Sequence, residues 1–467
     1  MMGLGKKDGI AELVRKAAQQ ARRETPQIEK PERVTKLDWP LQCTVGPGLE
    51  GAIACESGVG YVNGTAGRLL YRGYDIYDLS AASNFEEVCY LLLYGKLPTR
   101  KQFDGFCRRM VEYRYVPNTL RMLMATPVEE INPMAALRLG TNFMRRRLTW
   151  RDTETGRPLA ATAIASDEDS IPMETIPRGE EHAIYEFAKK ADRRRAAKKA
   201  QDDAASIASC IHVISGIATL AAAIARLRDG KLPIEPDPEL GHSANFLYMM
   251  TGRRPTAEEV RIMDVALILH ADHGMPASTF SALVVASTLS DIYFSVGAAI
   301  AALNGPLHGG ANEAVIDLLE SIGSPEAVPA WFAKARKNKQ KIVGFGHRVY
   351  KTYDPRARIL GPLAKHLGGG NPAVETLYET ALALEQEVVS TLGEEKGIYP
   401  NVDFYSGLVY RSMGIPKEMF TPIFAVSRAA GWTARIIEYL KNNRIFRPRA
   451  LYTGEYDNKY VSLGRRK

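Results

Sequence analysis

The spacing of apolar and polar positions turns helical almost everywhere beyond residue 84. Asn84 followed by Glu87 predicts an N-cap and capping box for a helix that buries Val88, Leu91 and Leu92 and closes at Gly95, with Pro98 just beyond. Thr256 and Glu259 repeat the device. Ahead of these helices, Tyr61-Val62-Asn63-Gly64 sets an Asn-Gly pair among apolar residues, a hairpin signal, with Arg68-Leu69-Leu70-Tyr71 as the return strand. From Ser206 onward, helical periods alternate with short Gly/Pro punctuation and show no internal repeat. The expected class is all-α with a minor N-terminal β-hairpin.

Two apolar stretches invite a membrane reading, and both lose it on inspection. Ala204 to Ala225 carries no formal charge, yet Ser206, Ser209, His212, Gly216 and Thr219 recur every three or four residues, a small or polar stripe that predicts a close-packed core helix. Gly274 to Asn312 is broken by Ser290-Asp291 and Asn304-Gly305-Pro306 before it reaches the roughly 20 apolar residues a bilayer requires. No membrane partner is expected. The first 40 residues are polar, end at Trp39-Pro40, lack the apolar core of a secretory signal and carry Asp8, Glu12 and Glu24, unlike an acid-poor transit peptide. They read as an N-terminal extension or peripheral helix. Residues 148–203 run from a Thr/Asp/Glu/Pro-rich stretch into a basic Ala/Lys/Arg run and read as a charged insert.

Composition narrows the class further. A chain of 467 residues, 45% apolar and 24% charged, with Gly 39 and Pro 26, is neither collagen-like nor low-complexity. The net charge of +8 is concentrated: residues 1–40 hold nine basic and six acidic groups, and residues 186–203 hold seven and four. The near-neutral body does not suit a phosphate-tracking groove, so no nucleic-acid partner is expected. Cys43, Cys55, Cys89, Cys107 and Cys210 form no CxxC pair, which points to a reducing, cytoplasmic compartment.

Several familiar motifs fail. Gly46-Pro47-Gly48-Leu49-Glu50-Gly51 matches GxGxxG, but a Pro lies inside it and a strand-like segment follows, where a dinucleotide site needs a helix. GxxxxGK[ST], GxSxG and HExxH do not occur. His270 and His273 have metal-like i, i+3 spacing without an evident third ligand, so no metal is expected.

Chemistry concentrates elsewhere. His308 lies in Asn304-Gly305-Pro306-Leu307-His308-Gly309-Gly310, just before a helix striped by Val315, Leu318, Leu319 and Ile322. Its ring is expected at that helix's N-terminus, where the positive dipole end keeps it neutral and able to donate to a developing enolate oxygen. His347 follows Gly344-Phe345-Gly346, and Arg356 comes nine residues later. Asp403, in Tyr399-Pro400-Asn401-Val402-Asp403-Phe404-Tyr405, has apolar and aromatic neighbours that would desolvate its carboxylate into a stronger base.

Together these stretches resemble the citrate synthase family, of the bacterial type shared by citrate and 2-methylcitrate synthases. The likeness runs through Gly48 to Thr99, Ala271 to Phe280, Asn304 to Ala314, Gly344 to Arg356, Tyr399 to Gly407, Phe424 to Trp432 and Arg447 to Gly454. It implies a condensing enzyme in which Asp403 takes a proton from acetyl-CoA, His308 stabilises the enol or enolate, and His347 protonates the oxaloacetate carbonyl. His273, Arg356, Arg428 and Arg447 would hold oxaloacetate, with Arg447 reaching across a homodimer interface. Val343, Gly344 and Gly346 would line CoA, and Lys351 would meet its phosphates. No cofactor beyond the substrates is implied. The fold would pair a large helical domain (41–306 and 414–467) with a small one (307–413) that closes on it. The family usually has Asn three residues after the histidine matching His273; here Pro276 stands there. The alternative substrate is propionyl-CoA, giving 2-methylcitrate. A catalytically weak CoA- or partner-binding paralogue is a third reading, opposed by intact His308, His347 and Asp403.

Overall fold

The structure, a computed structural model, describes residues 5–24, 39, 41–144, 207–368, 372–455 and 459–466. The charged insert expected at 148–203 lies outside the described residues. Three antiparallel strands, β1 (Gly60–Asn63), β2 (Arg68–Tyr71) and β3 (Tyr74–Asp75), pair in the order β1-β2-β3, with Gly60 opposite Tyr71 and Leu70 opposite Asp75. The return strand falls where the sequence places it. The turn is longer than an Asn-Gly pair: Asn63 Oδ1 accepts the Ala66 N–H at 2.9 Å, and Gly67 takes φ 58°, closing a four-residue loop. A second reversal at Arg72-Gly73, both at positive φ, adds β3 to the expected hairpin.

Among the described residues the other long elements are helices. The first helices are α1 (Gly5–Glu24), α2 (Ile76–Ala82), α3 (Phe85–Tyr94), α4 (Arg100–Tyr113), α5 (Pro117–Met124), α6 (Pro133–Phe143) and α7 (Ile207–Arg228). There follow α8 (His242–Thr251), α9 (Ala257–His270), α10 (Ala277–Ser287), α11 (Ile292–Leu303), α12 (Ala311–Ile322) and α13 (Val328–Lys337). The last are α14 (Pro355–Gly368), α15 (Pro372–Val388), α16 (Glu394–Lys396), α17 (Val402–Ser412) and α18 (Phe420–Leu440). Asn84 caps α3 through the Glu87 N–H, and Gly95 ends it in the left-handed conformation. The box is half made, because Glu87 accepts from the Ser83 hydroxyl at 2.6 Å instead of returning to the N-cap. Thr256 and Glu259 complete theirs at α9; such a cap contributes about 1 kcal/mol.

The long apolar helix α7 is the centre of the core, buried along Ala208–Ala225 and packed on α4, α6, α8 and α18. Its polar stripe admits close neighbours. Thr219 donates to the Arg114 carbonyl at 2.7 Å, His212 Nδ1 lies 2.9 Å from the Tyr293 hydroxyl, and Met144 occupies the space a Cβ on Gly216 would need. Within the N-terminal extension, α1 docks on α2, α9 and α14, burying Ile10, Val14, Ala17 and Ala18, and Glu24 pairs with Arg358. The Gly46–Gly51 stretch forms a short exposed 3-10 turn, not the start of a helix. Helices α12 and α14 pack on α17, and α13, α14 and α17 pack on α15, so α14 and α17, which carry Arg356 and Asp403, are packed together with α12, which follows His308 in the chain.

Candidate active site

Helix α9 stops at His270, three residues short of His273. The chain then turns through Asp272, whose buried carboxylate pairs twice with Arg435 of α18, Nε to Oδ1 and Nη2 to Oδ2, each 2.7 Å. Gly431 donates to the Ala271 carbonyl at 3.0 Å, and a Cβ on Gly431 would lie 2.2 Å from that oxygen, so α18 reaches the turn only because the residue is glycine. The Tyr71 hydroxyl of β2 lies 2.9 Å from the Ile268 and Asp272 carbonyl oxygens and anchors the turn to the sheet. His273 is thereby fixed, buried, with Nε2 3.1 Å from the Tyr350 hydroxyl and its ring 5.2 Å from that of His347. Burial first, then the charge of Arg356, holds its pKa well below the ordinary histidine value.

His347 and Asp403 are brought together by a short antiparallel clasp. Gly346 donates to the Tyr399 carbonyl and Asn401 to the Gly344 carbonyl, both 2.9 Å, while Asn401 Nδ2 donates to the Gly346 carbonyl at 3.0 Å. Gly344 and Gly346 sit at φ 83° and 76°, and a Cβ on Gly344 would lie within 2.8 Å of both Val315 and Phe404. Conformation favours glycine at both positions, and space also requires it at Gly344. His347 Nδ1 accepts from the Val349 N–H at 2.9 Å and the Tyr350 N–H at 3.1 Å, so the proton of the neutral ring resides on Nε2. Burial, then Arg356, lowers its pKa to about 4.

Asp403 lies in the first turn of α17, where its N–H donates to Asn401 Oδ1 at 3.0 Å. The residue keeps part of its surface open, but Oδ1 is out of solvent and has no hydrogen-bond partner. Burial pushes the carboxyl up to about 7, against the opposing pull of Arg356 and Arg428. An unpartnered, desolvated carboxylate of this kind is a competent base toward a carbon acid.

His308 differs from expectation. Its ring points not at the start of α12 but at the N-terminus of α10, where Nε2 accepts from the Ser278 N–H at 3.3 Å and lies 2.8 Å from the Ser278 hydroxyl. Trp432 Nε1 in turn donates to that hydroxyl at 3.3 Å. Burial, then Arg428, lowers the ring to about 4, and occupation of Nε2 leaves Nδ1 to carry the proton. The cause is long-range packing: Ser278 lies 30 residues before His308 and Trp432 lies 154 beyond Ser278. Pro276 occupies the N-cap of α10 with no side-chain cap, and its carbonyl accepts from Phe280 at 2.9 Å.

Two buried arginines complete the set. Asp354 Oδ1 accepts from the Arg356 N–H at 2.9 Å and from Nε at 3.0 Å, and Oδ2 accepts from Nη2 at 2.7 Å, so one edge of the guanidinium is tied down and Nη1 lies outside the pairing. Arg428 donates through Nε to the His270 carbonyl and lies 4.6 Å from the Phe424 ring; burial, then Arg356, lowers it to about 10. Both remain cationic at neutral pH in a site where a dianion would replace their water.

The structure thus gathers His273, His308, His347, Arg356, Arg428 and Asp403 around one centre, with Gly344 and Gly346 in its wall. Val343 is half-buried beside them and Lys351 is exposed, its N–H donating to the Gly64 carbonyl at 3.1 Å. Arg447 stands apart, exposed in the segment after α18. The preceding Phe446 N–H donates to Ser287 Oγ at the far end of α10 from Ser278, about 14 Å of helix away at ~1.5 Å per residue. Sequence reasoning missed Ser278, Tyr350, Asp354 and Trp432 as supports. Asp354-Pro355-Arg356 was a local signal for the ion pair, whereas nothing local links Trp432 to Ser278.

The profile of the family described as citrate synthase, C-terminal domain, matches residues 48–449. A citrate synthase of Deinococcus radiodurans is 39% identical over 419 residues, 90% of this chain and 98% of that protein. Citrate synthase 2 of Bacillus subtilis is 39% identical over 425 residues, 91% of this chain and 100% of its own. Among solved structures, citrate synthase from Pyrobaculum aerophilum superposes with a TM-score of 0.74 at 37% identity, covering 93% of this chain and 100% of that one. The Thermoplasma acidophilum citrate synthase, solved as a ternary complex with carboxymethyl coenzyme A and oxaloacetate, gives 0.74 at 34% identity, covering 91% of this chain and 100% of that one. With the family's profile spanning most of its length and the all-α architecture in common, the chain belongs to the citrate synthase family.

Proposed function

We propose that this protein condenses acetyl-CoA with oxaloacetate and water to give citrate and CoA, at the site built from His308, His347 and Asp403. The observation that carries the reading is Asp403 Oδ1, out of solvent and unpartnered, on a carboxyl pushed up to about 7 that shares Arg428 with His308 and Arg356 with His347, two histidines whose pKa is lowered to about 4. Asp403 takes a proton from the acetyl methyl group as His308 Nδ1–H donates to the thioester oxygen, which gains negative charge. The methyl carbon then attacks the oxaloacetate ketone, whose oxygen takes the proton of His347 Nε2, and the proton taken by Asp403 returns to that ring before the next turnover. Water hydrolyses the resulting citryl thioester, releasing CoA. Arg356 Nη1, Arg428 and His273 hold the oxaloacetate carboxylates. The Val343–Gly346 backbone lines CoA and Lys351 meets its phosphates. The reaction as written uses only substrates and side chains.

Arg447 cannot join this set within one chain if α10 separates them, and a second copy supplies it in a homodimer. Residues 307–413 move as a unit to close over the substrates and exclude water from the thioester. A cytoplasmic setting is supported by five cysteines that all stand as free thiols. The deciding measurement is release of free CoA thiol from purified protein given oxaloacetate with acetyl-CoA, then with propionyl-CoA. Fast release with acetyl-CoA and at least tenfold less with propionyl-CoA is expected. No release with either thioester would remove the reading.

A further inference from the structure

Glu385, on α15, takes no part in the chemistry above, yet it is tied to both sides of the site. One carboxylate oxygen accepts the hydroxyl of Tyr353 and the other the hydroxyl of Tyr405. Tyr353 immediately precedes Asp354, whose carboxylate holds Arg356 by three bonds. Tyr405 lies two residues after Asp403 on α17 and is buried, with its ring against Gly361 of α14, where a Cβ would come within 3.3 Å of it. The two tyrosines are further braced: Arg358 lies 4.2 Å from the Tyr353 ring, and Tyr378 of α15 packs 6.4 Å from Tyr405. The Gly344–Gly346 clasp joins the His347 loop to Asn401, before Asp403 in the chain; Glu385 joins the turn leading into α14 to Tyr405, after it.

Resting on the citrate synthase reading, we propose that Glu385 is a positioning residue: its carboxylate bridges Tyr353 and Tyr405 and so sets the distance between Arg356, which holds oxaloacetate, and Asp403, which removes the proton. Proton abstraction and carbon attack need their groups placed within a fraction of an ångström, and a misplacement of about 1 Å can cost on the order of 10²-fold. A single carboxylate is suited to the task because its two oxygens accept from two elements at once. Burial pushes the Glu385 carboxyl up to about 7, the cost of keeping this acceptor out of water.

The test compares Glu385→Leu, Glu385→Gln, Tyr353→Phe, Tyr405→Phe and the Tyr353→Phe/Tyr405→Phe pair in the full chain. We expect Glu385→Leu to lower kcat at least tenfold while the oxaloacetate dissociation constant stays within threefold. Glu385→Gln, which keeps one acceptor oxygen, should recover part of the loss. The tyrosine pair, which keeps both rings and removes only the two hydroxyls, should lose about as much as Glu385→Leu, and adding Tyr405→Phe to Glu385→Leu should cost nothing more. Should Glu385→Leu fail to fold, the tyrosine pair decides. Amide hydrogen exchange over 348–354 and 400–406 should rise in both segments in each variant, a readout that needs no turnover. A parent without CoA release would sink the citrate synthase reading and leave the bridge to the exchange data. Turnover within threefold of the parent in the tyrosine pair, additive losses, or exchange unchanged in either segment would each overturn the positioning role.

Discussion

Asp403 shows how an ordinary side chain acquires its chemistry from where it is held. Its proton stays on up to about pH 7 in the folded protein but leaves near the usual 3.8 in the unfolded chain. The native state therefore binds the extra proton between those values, and this contribution to stability is full below about pH 4 and is lost as pH rises through 7. Asp403→Asn should remove that slope and raise stability at pH 8, by an amount on the order of 4 kcal/mol at ~1.36 kcal/mol per pH unit. The same variant should lower turnover by roughly 10²–10⁴-fold with oxaloacetate binding kept. In the parent, kcat/KM should rise with pH to a plateau above the midpoint near 7, because the base must be ionised. Urea unfolding across pH and initial rates on the same samples check both. Unchanged turnover in Asp403→Asn would remove the residue from its role. The local sequence pointed to Asp403 because its neighbours in the chain, Val402, Phe404 and Tyr405, are apolar or aromatic. It could not reveal Glu385, which sits in an unremarkable helix and matters only through Tyr353 and Tyr405, 32 residues before and 20 after it.

The helices behave as carriers of specific atoms. α10 offers the Ser278 N–H to His308 at one end and binds the segment leading to Arg447 at the other, so its length separates two groups that the proposed chemistry must unite. The caps at Asn84 and Thr256 and the stop at Gly95 were legible because a capping bond spans three residues and needs no tertiary partner. The fate of α1 was less legible. Its apolar positions Ile10 and Val14 promise one buried face, but only α2, α9 and α14 together provide the surface that covers it. It also lies outside the stretch matched by the family profile. If α1 unfolds with the body, Ile10→Ala should cost roughly 2–5 kcal/mol, the usual range for emptying a fully buried aliphatic site. A shift in the urea midpoint reads this; an unchanged midpoint would mean that the helix detaches on its own.

At the scale of the whole molecule, the exposed position of Arg447 lets the proposed homodimer be tested. Neither an Arg447→Ala chain nor a His347→Ala chain should turn over appreciably alone. Mixed under subunit exchange, each heterodimer should regain one site, built from His347 of one chain and Arg447 of the other. Activity that fails to recover on mixing, with exchange verified by mass, would count against a shared site.

The sequence alone determined the helical class, the caps and the glycines at Gly344 and Gly346, because each depends on residues within a turn or a loop, and its resemblance to a family singled out the candidate site residues. The tertiary structure decided the protonation state of each group and the ring nitrogen that bears the proton. It turned His308 to the start of α10, left Asp403 Oδ1 without a partner, and tied Arg356 to Asp354. A pKa and a hydrogen bond answer to whatever lies within a few ångströms in space, and for His308, Arg428 and Trp432 those neighbours are 30, 158 and 154 residues away along the chain.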